Sequence, residues 1–264
     1  MTVDEIIRKK REYGYTYEDL SAITGVPVST IQKVLGKSTA SPRRSTLEAL
    51  SRAFEASVVR EDSHGYGITD GSNAFSLTSY ENKTIEDYLA LPDDIRVELI
   101  DGVFYDMASP SFTHQRIAGA IYSIFENYVD TNGGSCIPMI APSDVQLDCD
   151  DKTMVQPDVY VICDRDKITR PRIVGAPDMI IEILSPSNWY HDLVRKLRKY
   201  RHAGVREYWI VMPEQRRILV YVFEKSPDPE EYTFDDTVPV YIWGGKCTVD
   251  FRKIYEKVRF MLEN

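Results

Sequence analysis

The period of the apolar positions changes near residue 80. Before it, Ile6, Ile7 and Tyr13, then Leu20 and Ile23, then Ile31, Val34 and Leu35, then Leu47, Leu50 and Phe54 recur at helical spacing. That rhythm predicts four short helices within 1–55. Thr16, with Asp19 three residues on, is a variant capping box for the second. Gly25 breaks that helix, and Pro27 lies near the first position of the third, where a missing N–H costs least. The fourth runs over about 45–54. Residues 57–79 are turn-forming and aperiodic and read as a linker.

Beyond residue 80, short β-branched runs alternate with helical stretches. A short helix is expected at 84–89. Strands at 97–100 and 103–107 flank Asp101-Gly102, a two-residue hairpin signal. Ile117, Ile121, Ile124 and Phe125 give 111–128 helical spacing. Strands follow at 145–147, 155–162 and 179–184. A helix covers 189–202, with Gly204 as its stop. Strands at 207–211, 218–223, 232–234 and 238–243 and a final helix after Asp250 complete an α/β domain, a mixed sheet flanked by helices. The division is thus 1–56, a small all-α domain, 57–79, a linker, and 80–264, the α/β domain.

Composition narrows the classes. No apolar run approaches a membrane span, and the first residues lack the apolar stretch of a secretory signal, so a cytoplasmic protein is expected. The four cysteines form no CxxC pair and the four histidines no HxxxH pair, which argues against zinc; buried free thiols are expected. The net charge of −9 hides an asymmetry. Residues 1–60 carry 10 Lys+Arg against 7 Asp+Glu, and the remainder 22 against 34. Only the first part has the sign of a nucleic-acid binder.

Two acidic residues stand out in apolar runs. Asp158 follows Pro157 within 154–163, and Glu182 sits among Ile180, Ile181 and Ile183. A carboxylate in so apolar a strand is costly unless it is paired or bound to a cation. Downstream, Asp192, Lys196 and Tyr200 fall at i, i+4 and i+8, on one helical face. Two strand carboxylates followed by a helix lysine suggest a divalent-metal site that cuts phosphodiesters. The plainer alternative for the helix trio is a surface ion pair beside a packed tyrosine. Asp178, after a proline at a strand entry, reads as structural, and Tyr208, Trp209 and Tyr221 as sheet packing. His114 reads first as a capping or surface histidine and second as a group at the mouth of the site. Asp144 is a weaker candidate of the same kind.

Leu20, Ser21, Gly25, Val26, Ile31 and Val34 have helix-turn-helix spacing, and 1–55 resembles the lambda-repressor-like helix-turn-helix domains. The resemblance implies a third helix that enters the major groove. Ser29, Thr30, Gln32 and Lys33, with Val28, are exposed on that helix, and Arg43 and Arg44 are placed to hold phosphates. The alternative is a helical bundle used for protein contacts.

The rest resembles the Uma-two restriction-endonuclease family, within the PD-(D/E)XK nuclease superfamily, over roughly 80–255. The marks, in order, are Val97-Glu98-Leu99-Ile100-Asp101-Gly102, Ser109-Pro110 with His114-Gln115, Gln156-Pro157-Asp158-Val159, Gly175-Ala176-Pro177-Asp178 and Glu182-Ile183-Leu184-Ser185-Pro186-Ser187. They continue through Asp192, Lys196, Tyr200 and Gly204-Val205-Arg206-Glu207-Tyr208-Trp209. The resemblance implies a restriction-endonuclease-like fold with a four-stranded core. It implies Mg²⁺ or Mn²⁺ held by Asp158, Glu182 and the carbonyl of Ile183, with Glu98 joining directly or through water. The lysine of the superfamily's short motif is replaced by Leu184, and Lys196 supplies the charge instead. Asp192, Tyr200 and His114 are supporting candidates. The expected function is a metal-dependent DNA endonuclease targeted by its N-terminal domain. The alternative is a DNA-binding regulator with a silent nuclease-like domain, and an antitoxin-like helper is weaker. DNA is the expected partner, and a homodimer follows from two strands needing two cuts.

Overall fold

The computed structural model describes residues 1–12, 17–39, 42–55, 82–92, 94–107, 109–147, 151–184 and 189–262. The expected linker, Thr16 and Tyr13 lie outside the described residues. The chain divides into two compact units, Met1–Ser76 with Tyr190–Arg195, and Leu77–Trp189 with Lys196–Asn264.

The first unit holds α1 (Val3–Glu12), α2 (Tyr17–Thr24), α3 (Val28–Leu35) and α4 (Arg44–Glu55). Ile6, Leu20, Ile31, Val34, Leu35, Leu50 and Ala53 form its core, one apolar stripe from each helix. Gly25, at φ +66°, makes the turn between α2 and α3 in the left-handed region. Pro27 is the N-cap of α3, one position earlier than expected.

The second unit begins with α5 (Ile85–Leu89), opened by a Thr84/Asp87 capping box. The hairpin β1 (Val97–Ile100) and β2 (Val103–Asp106) turns at Asp101, φ +51°, and Gly102, φ +77°. Two positive φ angles in succession are what a two-residue hairpin needs to match strand twist. Helix α6 (Phe112–Asn132) and strands β3 (Ile137–Ile140), β4 (Val145–Gln146) and β5 (Met154–Val155) follow. Next come β6 (Val159–Ile162), β7 (Ile173–Val174), β8 (Met179–Ile183), α7 (Trp189–Ala203), β9 (Glu207–Met212) and β10 (Arg217–Val222). The chain ends with β11 (Glu230–Thr233), β12 (Thr237–Val240), β13 (Cys247–Asp250) and α8 (Phe251–Leu262).

Two sheets result, larger than the four-stranded core the resemblance implies. One is ordered β2-β1-β5-β4-β7, the other β11-β10-β9-β8-β6-β3, with β12-β13 as a separate pair. In the larger sheet only β8 and β9 are parallel. A parallel pair needs a crossover, and α7 supplies it. One face, with Met179, Ile181, Ile183, Trp209 and Val211, packs on Ile117, Ile121 and Phe125 of α6 and on Phe251, Ile254 and Val258 of α8. Ile180, Glu182 and Tyr208 alternate onto the other face. There Tyr200 of α7 meets Tyr208 edge to face at 5.0 Å, and Tyr208 stacks on Tyr221 at 6.2 Å. The aromatic cluster is therefore packing.

The single strand expected over 155–162 is two strands in two sheets. Pro157 has no N–H to give a ladder, so pairing stops there and the chain passes from one sheet to the other across Gln156-Pro157-Asp158. The expectation of free thiols holds for buried Cys247, whose burial pushes the thiol up to about 11. It fails for Cys136 and Cys163, which form a disulfide. They flank the Ile137–Ile162 pair of β3 and β6, a register that only the folded sheet reveals.

Candidate functional site

The crossing between the sheets is where the acidic residues meet. Glu98 comes from β1 of the smaller sheet, and Asp158 closes the joint itself. Glu182 comes from β8 of the larger sheet, and Lys196 and Tyr200 descend from α7. Val159 pairs with Ile181, so one further register step sets Asp158 opposite Glu182. The Asp158 carboxylate reaches across that step, its Oδ2 accepting from the Ile183 N–H at 2.7 Å.

Lys196 binds the two sheets together. Its Nζ lies 2.8 Å from Glu98 Oε2 and 3.1 Å from Glu182 Oε1. Glu98, Glu182 and Lys196 are only 4%, 7% and 5% exposed, so this ion triad is buried. The Tyr200 hydroxyl donates to the same Glu182 Oε1 at 2.6 Å. Burial, and next the Glu182 charge, hold the Tyr200 phenol well above its ordinary value, with Lys196 opposing. Tyr200 is thus a fixed neutral donor. Glu98 Oε1 also accepts from the Gln156 N–H at 2.9 Å. One turn along α7, Lys199 pairs with Asp101 at 2.6 Å, anchoring the hairpin that carries Glu98 to the helix that carries Lys196. The helix trio is therefore no surface ion pair as far as Lys196 and Tyr200 go. Asp192 belongs to α7, and its side chain lies outside the described residues.

His114 is the third residue of α6. Ser111 caps that helix, its Oγ accepting from the His114 N–H at 3.1 Å. The capping role therefore belongs to Ser111, and the imidazole is free to turn to Asp158, with Nε2 2.9 Å from Oδ2. Its Nδ1 is buried without a hydrogen-bond partner among the described residues. Asp158 Oδ2 thus receives both the His114 ring and the Ile183 amide. Its Oδ1 makes no hydrogen bond among the described residues.

A second layer braces this group. The Gln156 side-chain amide donates to Asp144 Oδ1 at 2.8 Å and to the Tyr88 hydroxyl at 3.1 Å. Tyr88 in turn donates to Asp144 at 2.8 Å. Burial, then the Asp144 charge, raise the Tyr88 phenol. Sequence spacing passes over Tyr88, which lies in a five-residue helix, and gives Gln156 no role of its own. The only signal is the neighbour Pro157-Asp158. Asp178 is structural: it accepts from the Cys163 N–H at 2.8 Å and pairs with Arg206 at 3.3 Å.

In the first unit, Ser29, Gln32, Lys33 and Arg43 are exposed, and Thr30 is half-buried. Arg44 starts α4 and pairs with Glu48 at 2.8 Å. Among the described residues no helix is long and apolar enough to cross a membrane.

The chain is similar in sequence and fold to known proteins. An uncharacterised protein of Synechocystis sp., slr1290, is 30% identical over 168 residues, 62% of this chain and 85% of that protein. The crystal structure of a "putative nuclease belonging to DUF820" from Anabaena variabilis shares the fold, with a TM-score of 0.55 and 21% identity. That match covers 66% of this chain and 97% of that one. A family model described as "Putative restriction endonuclease" matches residues 85–240, a span that takes in Glu98, His114, Asp158, Glu182, Lys196 and Tyr200. The chain belongs to this family, Uma2.

Proposed function

We propose that the protein is a metal-dependent DNA endonuclease that hydrolyses phosphodiester bonds, with its N-terminal helices directing it to DNA. The observation that supports this most is the meeting of Glu98 and Glu182 on Lys196 at the junction of two sheets, with Asp158 one register step beyond the Val159–Ile181 pair, opposite Glu182. The three carboxylates carry two more charges than the one ammonium offsets, a surplus of the size a divalent cation supplies. Hard oxygen donors suit Mg²⁺ or Mn²⁺. Among the described residues no three acidic, His or Cys groups already surround one point. Instead an ammonium stands between Glu98 and Glu182. The donor set fits the ion in chemistry and charge. Asp158 and Glu182 would hold it, with the Ile183 carbonyl and Glu98 as further oxygens. A bound ion would polarise the scissile phosphate and acidify an attacking water.

The chain's own residues do the rest. His114 and the Ile183 amide fix the Asp158 carboxylate by one oxygen and leave the other without a hydrogen bond among the described residues. Tyr200 fixes Glu182, and the Gln156 amide fixes Glu98. Lys196 places a positive charge among them, able to stabilise negative charge that develops on the phosphate. In hydrolysis the water oxygen bonds to phosphorus, one P–O ester bond breaks, and the leaving oxygen takes a proton. In the first unit, Ser29, Thr30, Gln32 and Lys33 would read or hold DNA, and Arg43 would hold a phosphate. Arg44 would have to leave Glu48 to do the same.

Plasmid cleavage tests the proposal. With Mg²⁺ or Mn²⁺, the intact protein is expected to nick or linearise supercoiled DNA, and Asp158→Ala is not. No cutting by the intact protein on any DNA form would favour the silent-domain regulator, a reading that a Lys196 ammonium already held by two carboxylates would then explain.

A further inference from the structure

Gln156 stands between two of the carboxylates that would hold the ion. Its backbone N–H donates to Glu98 Oε1 at 2.9 Å, and Asp158 follows two residues on, after Pro157 with its locked φ. Its side chain is held as closely. The amide Nε2 donates to Asp144 Oδ1 at 2.8 Å and to the Tyr88 hydroxyl at 3.1 Å, and that hydroxyl donates to the same Asp144 oxygen at 2.8 Å. The three half-buried groups close a ring of hydrogen bonds, each supporting the next. The other two corners of the ring are anchored on separate elements. Tyr88, in α5, packs on the cluster of Ile85, Val97, Leu99, Phe104 and Met154, of which Val97 and Leu99 flank Glu98 in β1. Asp144 precedes β4, and its carbonyl accepts from the Ile173 N–H at 2.9 Å.

We infer that Gln156, through its ring with Asp144 and Tyr88, is a positioning residue that makes the carboxylate site select Mg²⁺ over Ca²⁺. This role presupposes the ion binding proposed above. Both Glu98 oxygens are fixed, Oε1 by the Gln156 N–H and Oε2 by Lys196. Asp158 is fixed by its Oδ2, on His114 and the Ile183 amide. The chain that joins the two grips is Gln156-Pro157-Asp158, and the Gln156 side chain is what pins its first residue. Mg²⁺ demands near-octahedral oxygens at about 2.0–2.1 Å, whereas Ca²⁺ accepts looser shells at about 2.3–2.6 Å. A rigid joint between two carboxylates favours the smaller, stricter ion, and a slack one removes that advantage.

Calorimetric titration of the full chain with Mg²⁺, and separately with Ca²⁺, tests this without DNA. Gln156→Met keeps the length of the side chain and removes the amide. It is expected to weaken Mg²⁺ binding about 10-fold while Ca²⁺ binding changes less than about threefold. Tyr88→Phe removes only the hydroxyl and should shift the preference in the same direction by less. The double variant should be no worse than Gln156→Met, because both changes act through one ring. In plasmid cleavage, Ca²⁺ should inhibit the Mg²⁺-dependent reaction of Gln156→Met at a correspondingly lower concentration. A role in stability alone would lower the melting temperature and weaken both ions together. Equal weakening of the two ions, or none, would therefore overturn the inference and leave ion binding standing, as would a parent with no preference for Mg²⁺. Should Gln156→Met fail to fold, Tyr88→Phe decides, and an unshifted preference there overturns the inference. A parent that binds neither ion would overturn both this role and the metal-dependent reading.

Discussion

Lys196→Met separates the structural and chemical duties of the ammonium. Methionine nearly matches the lysine stem in length and removes the charge with its N–H donors. In the parent, Glu98 and Glu182 both rest on Nζ, at 2.8 and 3.1 Å, with almost no solvent contact. Taking away one member of a buried ion cluster leaves uncompensated charge and costs about 3–5 kcal/mol. Each kcal/mol moves the melting temperature of a domain this size by roughly 2–4 °C, so a fall of about 6–20 °C is expected. A divalent cation can replace the lost charge. If Mg²⁺ or Mn²⁺ binds the carboxylates, a concentration 100 times the dissociation constant should return about 2.7 kcal/mol. Calorimetry of parent and variant, with and without the ion, reads all of this. DNA cleavage should be lost while ion binding is retained. A melting temperature within about 2 °C of the parent would show that the triad contributes little. A large fall that no divalent ion reverses would refute the cation-binding role of the carboxylates.

Three other outcomes are expected. Tyr200→Phe removes a buried hydrogen bond of 2.6 Å to a carboxylate and should cost about 1.5–3 kcal/mol in urea unfolding; a loss below ~0.5 would show that Glu182 is held without it. Gly102→Ala puts a side chain at φ +77° with its Cβ 3.2 Å from the Lys83 carbonyl oxygen, and should cost about 1–3 kcal/mol; an unchanged urea midpoint would contradict that hairpin geometry. Burial raises the Glu207 carboxyl above its ordinary 4.5, so the folded state keeps this proton longer than the unfolded one. The associated stability is complete below 4.5 and declines as pH rises through the folded value. Glu207→Gln should flatten that decline in a series of unfolding curves, and an unaltered slope would count against it.

What could be read from the sequence follows from the range of the physics involved. The helices of the first unit, the Asp101-Gly102 hairpin, α6, α7 and α8 rest on local period and turn chemistry, which a few residues express. The short strands β3, β7 and β13 went unforeseen. Two to four residues carry no period, and they exist because β6, β4 and β12 are there to pair with them. The run over 155–162 reads as one strand in spite of Pro157, and only the assembled sheets show that pairing breaks there and changes sheets. The acidic residues announced themselves by standing in apolar strands. Helical spacing also singles out Lys196 and Tyr200, but not what they touch. Nothing in the spacing says that Lys196 touches a residue 98 positions earlier, or that Tyr88 and Asp144 close on Gln156.

The triad also bears on the proposal that Lys196, from the helix, serves in place of a strand lysine. A lysine two residues after Glu182 would extend from the same strand, and its ammonium would depend on that strand alone. Here Leu184 ends the strand, and Lys196 approaches from α7. It ties the crossover helix to β8 through Glu182 and to the smaller sheet through Glu98. Lys199 repeats the tie one turn later, at Asp101. The displaced lysine thus has a structural duty that a strand lysine would lack: it neutralises carboxylates that belong to two different sheets. That duty has a chemical consequence. An ammonium already shared by two carboxylates resists release, so a cation entering beside Asp158 must compete for Glu182 and Glu98 while Tyr200 keeps its hold on Glu182. Removing the lysine charge should therefore weaken the fold and leave ion binding at least as tight as in the parent.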